Sequence, residues 1–427
     1  MHPLSSIQER RVLVGVCGGI AAYKICELVS SLVKAGVEVQ VILTEAAQAF
    51  VTPLTFATLS RRPAYVDSNF WQPTHGRPLH IQLGEWAEVF VVAPVTANTL
   101  AKLTLGMSDN LLTSTVLASH CPILLAPAMN REMWKQIAVQ RNWQQLLTDP
   151  RFHQIAPTTG ILACDLPRLN SGQETSAETL TQFTEAGRMA EPRQILAQVE
   201  SLLHTQGRRD LEGKQILISA GGTREHLDPV RFLGNPSTGK MGLALAQAAL
   251  HRGASVTLVH APMETHPVAS LNPITLIPAN SAEQMHQAML DHFPTADLIL
   301  MAAAVADVKP QDYSAAKLPK RSLPAHLPLE PVPDIVAELG QLKRPEQVLV
   351  GFAAQTGDIL PLAQEKLKRK QLDVIVANPI DRPNVGFASE QNQAILISTQ
   401  GQQKQIPQCS KLRLAHHIFD FIGESPE

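Results

Sequence analysis

Arg11-Val-Leu-Val-Gly-Val-Cys17-Gly18-Gly19 and Lys214-Gln-Ile-Leu-Ile-Ser-Ala220-Gly221-Gly222 are two short apolar runs, each closed by a pair of glycines. A run of this length bounded by glycine reads as a buried strand of a parallel sheet, with the turn feeding a helix. Outward from the first run, a helix is expected over Ala21–Ala35 and strands at Val37–Leu43, Val89–Ala93 and Ile123–Ala126. Outward from the second, a helix is expected from Gly239 to His251. Strands follow at Ser255–Val259, Asp297–Met301, Val348–Phe352 and Asp373–Ala377, with a late edge strand at Ala394–Ser398. Strand, glycine turn and helix in alternation, read twice, predict an α/β chain with two Rossmann-like domains in tandem. An amphipathic helix at Ile195–Leu203 and a polar linker at Thr205–Asp210 place the boundary near residue 210, giving domains 1–210 and 211–427.

The 427 residues are too many for one ordinary core. Apolar residues make up 44 % and the formal net charge is -2, which argues against nucleic acid as the main partner. No apolar run reaches the length of a membrane span, and residues 1–11 carry no secretory-leader pattern. The five cysteines (Cys17, Cys26, Cys121, Cys164 and Cys409) show no paired spacing, so reduced thiols in a cytoplasmic protein are expected. Two irregular stretches stand out. Pro319–Pro333 holds five prolines and is expected to be a loop that orders around a ligand; Leu166–Ala186 is polar and is expected to be an exposed excursion.

In the first half, Gly15-Val-Cys17-Gly18-Gly19-Ile20-Ala21 lies at a strand-to-helix junction, where free N–H groups suit a phosphate. Half such turns merely connect strand to helix. The stretch Ala93-Pro94-Val95-Thr96-Ala97-Asn98 follows a strand's carboxyl end, the place where α/β sheets bind ligands. Then come Gly106-Met107-Ser108-Asp109-Asn110 and Pro127-Ala128-Met129-Asn130-Arg131-Glu132-Met133-Trp134, with His80 before them and Cys164 after. Alone, His80 reads as a surface residue, Asn130 as a helix cap and Cys164 as an inert thiol.

Together, over about residues 10–205, these motifs resemble the flavin-dependent cysteine decarboxylases, which include phosphopantothenoylcysteine decarboxylase. The resemblance implies a flavodoxin-like domain binding FMN at a site built between subunits of a trimer. It also implies oxidation of the substrate's C–S end to a thioaldehyde, whose sulfur accepts the electrons left by departing CO2. It makes His80 the base, Asn130 the holder of the substrate carboxylate and Cys164 the proton donor. Gly18, Gly19, Ile20, Thr44, Pro94, Thr96 and Asp109 become flavin contacts. Two departures accompany it: Cys17 stands where the family generally has Ser or Thr, and an excursion roughly 17 residues longer than usual separates Cys164 from Gly187-Arg188-Met189.

In the second half, Asn235-Pro236-Ser237-Thr238-Gly239-Lys240-Met241-Gly242 precedes a helix and suits an anion without matching a P-loop. Met301-Ala302-Ala303-Ala304-Val305-Ala306-Asp307 ends a strand, and Lys317 follows Asp307 by ten residues. Lys366 and Lys370, four apart in a basic run, read as a solvated helix face. With Pro333-Asp334-Ile335-Val336 and Gly351-Phe352, the set resembles phosphopantothenate–cysteine ligase over about residues 211–415; relatives often carry Glu where Gln355 stands. The order of the halves matches the fused bacterial enzyme of coenzyme A synthesis.

That resemblance implies activation of 4'-phosphopantothenate by CTP as an acyl-cytidylate, with Mg2+ or Mn2+ on the triphosphate, and displacement of CMP by L-cysteine. Lys317 would stabilise charge during cytidylyl transfer and Asn235 would act on the acyl-cytidylate. Met301, Ala302, Ala303, Asp307, Pro333, Asp334, Ile335, Val336, Phe352, Lys366 and Lys370 would contact CTP. No metal ligand is assigned. A trimer-based homo-oligomer, up to a dodecamer, is expected, with small-molecule substrates and no membrane or nucleic-acid partner. Two other readings stay open: a ligase whose decarboxylase half is impaired by the insertion, and a non-catalytic flavin-binding regulatory protein.

Overall fold

The computed structural model describes residues 7–72, 76–159, 186–263, 274–322, 326–357, 359–379, 381, 386, 389–424. The chain divides into two compact units, Met1–Arg208 and Arg209–Glu427. Among the described residues, no helix is long and apolar enough to cross a membrane.

The first unit is built on β1 (Arg11–Val16), β2 (Glu38–Leu43), β3 (Ala64–Val66), β4 (Val89–Val95), β5 (Ile123–Pro127) and β6 (Phe152–Gln154). Its sheet runs β3-β2-β1-β4-β5-β6, with every pairing parallel. Successive side chains of a strand point to opposite faces, and β1 shows it. Val12, Val14 and Val16 join the core formed with Ile25, Leu28, Leu32, Ile195 and Val199. Leu13 and Cys17 join the opposite core with Leu83, Leu100, Leu112 and Trp143. Every residue of β4 is buried, as a strand covered by helices on both faces requires. A two-stranded pairing, β7 (Thr158–Thr159) with β8 (Ala186–Arg188), lies outside this sheet.

The second unit repeats the plan. Its main strands are β9 (Gln215–Ala220), β12 (Ser255–His260), β13 (Thr275–Pro278), β14 (Leu298–Met301), β17 (Val348–Gln355), β18 (Val374–Pro379), β19 (Gln391–Ser398) and β20 (Gln403–Ser410). The order is β13-β12-β9-β14-β17-β18-β19-β20; the first six are parallel and the last two antiparallel. Both sheets are doubly wound. In each, the order reverses beside the first strand, between β1 and β4 and between β9 and β14. Small antiparallel pairs, β10 (Arg224–His226) with β11 (Phe232–Gly234) and β15 (Val308–Pro310) with β16 (Leu329–Pro331), branch from the loops after β9 and β14.

Three expectations change. Ala394–Ser398 belongs to an interior strand, because β20 pairs outside it. The sequence of β20, Gln-Lys-Gln-Ile-Pro-Gln-Cys-Ser, has the polar residues and proline of an edge, which hides it from a search for apolar runs. The proline-rich stretch is not wholly loop, since it contains β16. The expected linker is structured too. Thr205 closes the helix Pro192–Thr205 and is buried, Gln206 turns the chain at φ 55°, and Asp210 pairs with the buried Arg252.

Candidate functional sites

At the carboxyl end of β1, a Cβ on Gly18 would lie 2.4 Å from the Cβ of Ala46 and 2.8 Å from its carbonyl carbon. No side chain fits between Gly18 and Ala46, which packs directly on the turn, whereas a Cβ on Gly19 would meet only Thr96, at 3.9 Å. The helix Ala22–Lys34 starts directly beyond, with Ala22 N–H donating to Gly19 O at 2.9 Å. Thr44 is held at the same edge, its N–H donating to Val16 O at 3.0 Å. Across the switch point, the Ala93–Pro94 peptide is cis, and Thr96 caps the helix Ala97–Thr104 by accepting from Thr99 N–H at 3.3 Å. The structure thus gathers Gly18, Gly19, Thr44, Pro94 and Thr96 at the carboxyl ends of three strands. Ile20 is exposed beside them.

Cys17 does not face that cradle as a donor. It is fully buried in the core, and burial pushes its thiol up to about 11, against lowering contacts from the Thr99 side chain and the Thr96 backbone. The Asp109 carboxylate pairs with Lys102, 2.6 Å from its Nζ. Asn110 caps the helix Leu111–Ala118 by accepting from Thr113 N–H at 2.9 Å.

His80 lies in the helix Leu79–Trp86 and meets Phe70 edge-on at 5.3 Å. Its Nδ1 is buried and has no hydrogen-bond partner among the described residues. A buried imidazole nitrogen left unpaired costs stability and marks a place for a ligand's polar group. Asn130 caps the short helix Arg131–Lys135, Oδ1 accepting from Glu132 N–H at 2.8 Å. The preceding Met129 donates its N–H to Gly187 O at 3.1 Å, and a Cβ on Gly187 would press on Met129 O at 2.8 Å. Cys164 and the excursion after it lie outside the described residues.

The second unit holds a cavity of about 680 Å³ at the switch point of its sheet. Its floor is the segment Met301–Asp307, laced onto β9 by hydroxyls. The buried Ser219 Oγ accepts from Ala303 N–H at 3.2 Å, and the buried Thr223 Oγ1 accepts from Ala306 N–H at 2.9 Å. Asn235 completes the lacing, its Nδ2 donating to Ala304 O at 3.3 Å and Val305 O at 3.2 Å. Gly239, at φ 75°, lets the following helix Lys240–His251 begin at the rim; a Cβ there would overlap Met263.

Pro333, Asp334, Ile335, Val336 and Phe352 line the cavity with Asn235, Met301, Ala302, Ala303 and Asp307. Lys366 and Lys370 line it too, which settles their helix face as cavity wall. Lys366 Nζ donates to Phe352 O at 2.8 Å, and Lys370 pairs with Asp334, the cap of the helix Ile335–Leu342. Burial pushes both lysines below their ordinary values; Arg369 adds to this at Lys366, and Asp307 opposes it at both. Lys317 is exposed and stands outside the cavity lining.

Sequence reasoning missed Arg369, Asn378, Asn392 and Lys411, which line the cavity together with Lys240 of the anion-suited run. Lys411 is 6 % exposed and donates to Gly386 O at 2.9 Å and Ser389 O at 2.6 Å. Burial, then the nearby Lys240, push its ammonium down to about 8, with Glu390 opposing. Asn378 was within reach of the sequence, because it sits at the carboxyl end of β18, where ligands of such sheets gather. Lys411 carried no such signal.

The sequence matches two family models: Flavoprotein over residues 2–189, and the DNA/pantothenate metabolism flavoprotein C-terminal domain over residues 211–425. It is similar to the coenzyme A biosynthesis bifunctional protein CoaBC of Bacillus subtilis (strain 168), 40% identical over 417 residues, covering 98% of this chain and 97% of that one. The protein of the same name from Vibrio cholerae serotype O1 is 38% identical over 424 residues, covering 99% and 100%. Among solved structures, the C-terminal domain of a CoaBC is similar at 35% identity and a TM-score of 0.42, covering 50% of this chain and 95% of that one.

Proposed function

The chain belongs to the family of bifunctional coenzyme A biosynthesis proteins, and from that premise we propose how its two halves divide the chemistry and which residues carry it. It is an enzyme of coenzyme A synthesis, with a flavoprotein half for decarboxylating phosphopantothenoylcysteine and a ligase half that makes that compound.

The ligase cavity takes CTP and 4'-phosphopantothenate. The observation that supports this reading is a wall of cations, Lys366, Arg369 and Lys370, in the same cavity as the Met301–Asp307 segment, which Asn235 holds through the carbonyls of Ala304 and Val305. A triphosphate needs that positive charge, and a divalent cation arriving with the nucleotide neutralises the remaining charge. The substrate carboxylate attacks the α-phosphorus, the bond to pyrophosphate breaks, and an acyl-cytidylate forms. Lys317 stabilises the charge that develops there. Asn235, at the floor, holds the acyl-cytidylate while the amine of L-cysteine attacks its carbonyl and CMP departs.

The cradle at Gly18, Gly19, Thr44, Pro94 and Thr96 fits a flavin phosphate, since a Cβ on Gly19 would meet only Thr96, at 3.9 Å, and a helix N-terminus follows directly. When bound, FMN supplies the oxidation and the returning reduction that decarboxylation needs. His80 takes a proton from the substrate through Nδ1, which has no partner among the described residues, or keeps that nitrogen for orientation while Nε2 acts. Asn130 holds the substrate carboxylate before it leaves, and Cys164 returns a proton. Exposed Ile20, Tyr23, Phe50 and Leu54 leave apolar surface on this unit, in keeping with a trimer-based oligomer.

The ligase reading is tested by pyrophosphate release from CTP in the presence of 4'-phosphopantothenate, before any cysteine is added. Release that needs the pantothenate compound supports it. Release that ignores that compound, or none with any nucleotide, overturns it.

A further inference from the structure

Asp228 is fully buried, yet it belongs to no part of the cavity wall. Its Oδ1 accepts from Val230 N–H at 2.9 Å and Arg231 N–H at 2.8 Å. Its Oδ2 accepts from Arg231 Nε at 3.0 Å and Nη2 at 2.5 Å, and from Leu318 N–H at 3.2 Å. Arg231 Nη2 also donates to Leu318 O at 2.6 Å. The carboxylate and the guanidinium therefore grip both polar groups of one residue, almost ninety positions along the chain, immediately after Lys317. A second tether lies just before Lys317, where Ser314 N–H donates to Leu227 O at 3.0 Å. Ser314 Oγ then donates to Ala316 O at 2.7 Å.

Lys317 is thus an exposed side chain on a backbone fixed on both sides to the turn Leu227–Arg231. Burying an ion pair is weak evidence for stability, because desolvation offsets most of the attraction. Such a pair gives precise geometry instead, and here the geometry is delivered to the neighbour of the lysine assigned to cytidylyl transfer. The hydrogen bonds from Val230, Arg231 and Leu318 outweigh the upward push of burial and hold the Asp228 carboxyl well below the usual range, so it stays charged throughout the working pH.

We propose that Asp228 and Arg231 form a positioning pair for Lys317, setting where its ammonium stands during attack on the nucleotide. The proposal rests on the reading of Lys317 given above. It separates the lysine's charge, which acts on the transferring group, from its placement, which belongs to residues that touch no substrate through this contact.

A double-mutant cycle on the full-length enzyme tests it. Asp228→Asn, Lys317→Ala and the double variant are compared for ligase kcat and for KM with CTP, with decarboxylation of supplied phosphopantothenoylcysteine as the internal control. A small misplacement of a reacting group costs on the order of a hundredfold in rate. Asp228→Asn is therefore expected to lower ligase kcat roughly tenfold to a hundredfold, with KM for CTP nearly unchanged and decarboxylation intact. In the Lys317→Ala background it is expected to cost nothing further. Equal losses in both backgrounds, or a change confined to KM, overturn the proposal while leaving the role of Lys317 standing. A Lys317→Ala variant with full kcat overturns both. Should thermal melting show that Asp228→Asn unfolds the ligase half, Arg231→Lys carries the same cycle, since it keeps the charge and loses the bridge to Leu318.

Discussion

The ammonium of Lys366 donates to the main-chain carbonyl of Phe352 at 2.8 Å, and so ties a helix to the strand end that lines the ligase cavity. The contact keeps the cation inside the cavity rather than on the solvated face its sequence spacing suggests. Replacing Lys366 by Met retains the aliphatic stem and removes the charge. A hydrogen bond to a charged group contributes about 1.5–3 kcal/mol, so KM for CTP is expected to rise roughly tenfold or more. Steady-state ligase kinetics check this, with decarboxylation unchanged.

Asn235 spans the carbonyls of Ala304 and Val305 and lines the same cavity. Asn235→Ala is expected to slow product formation by about a hundredfold, the scale of losing one transition-state donor. Pyrophosphate release should suffer less, so that an acyl-cytidylate accumulates. Quenched samples analysed by mass spectrometry read both quantities. Equal loss of the two steps would remove Asn235 from the second step.

Gly18→Ala forces a methyl group onto Ala46, whose Cβ is 2.4 Å from the new atom. The strand before Gly18 and the helix after it are packed in the core, so the shift falls on the turn and on Ala46. The variant is expected to purify without flavin absorbance and without CO2 release, while ligation continues. A yellow, active variant would move the flavin phosphate elsewhere.

Lys411 gives a pH-dependent stability term whose sign is fixed by its depressed folded-state value of about 8. Between pH 8 and the ordinary lysine range, the unfolded chain binds a proton that the folded chain has lost. This contribution to stability therefore rises with pH across that window and is flat below it. The rise amounts to about 3 kcal/mol, from roughly 1.4 kcal/mol for each pH unit. Denaturant melts of the wild type and Lys411→Met at pH 7 and pH 10 are expected to diverge in favour of the wild type at the higher pH. Parallel behaviour would mean that Lys411 keeps an ordinary affinity for its proton.

The parallel strands were legible because burial on both faces demands apolar runs such as Val89–Val95, and glycine pairs mark where each run turns. β20 was not, because an edge strand tolerates Lys, Gln and Pro that an interior strand excludes. The Met301–Asp307 floor was readable as a strand end, yet its lacing by Ser219, Thr223 and Asn235 was not, since each hydrogen bond joins residues about seventy or more apart. The same holds for Asp228, whose turn-like sequence gives no hint of its grip on Leu318. Lys411 follows an edge strand and starts a helix, a place where a lysine is ordinarily solvated; burial there depends on carbonyls supplied from Gly386 and Ser389.

That one chain performs both steps is tested most directly by incubating the purified protein with 4'-phosphopantothenate, L-cysteine, CTP and Mg2+ and following the products by mass spectrometry. The expected result is 4'-phosphopantetheine with equal amounts of CMP, pyrophosphate and CO2. Phosphopantothenoylcysteine accumulating without CO2 would contradict the flavoprotein half, and no CTP-dependent product would contradict the account as a whole.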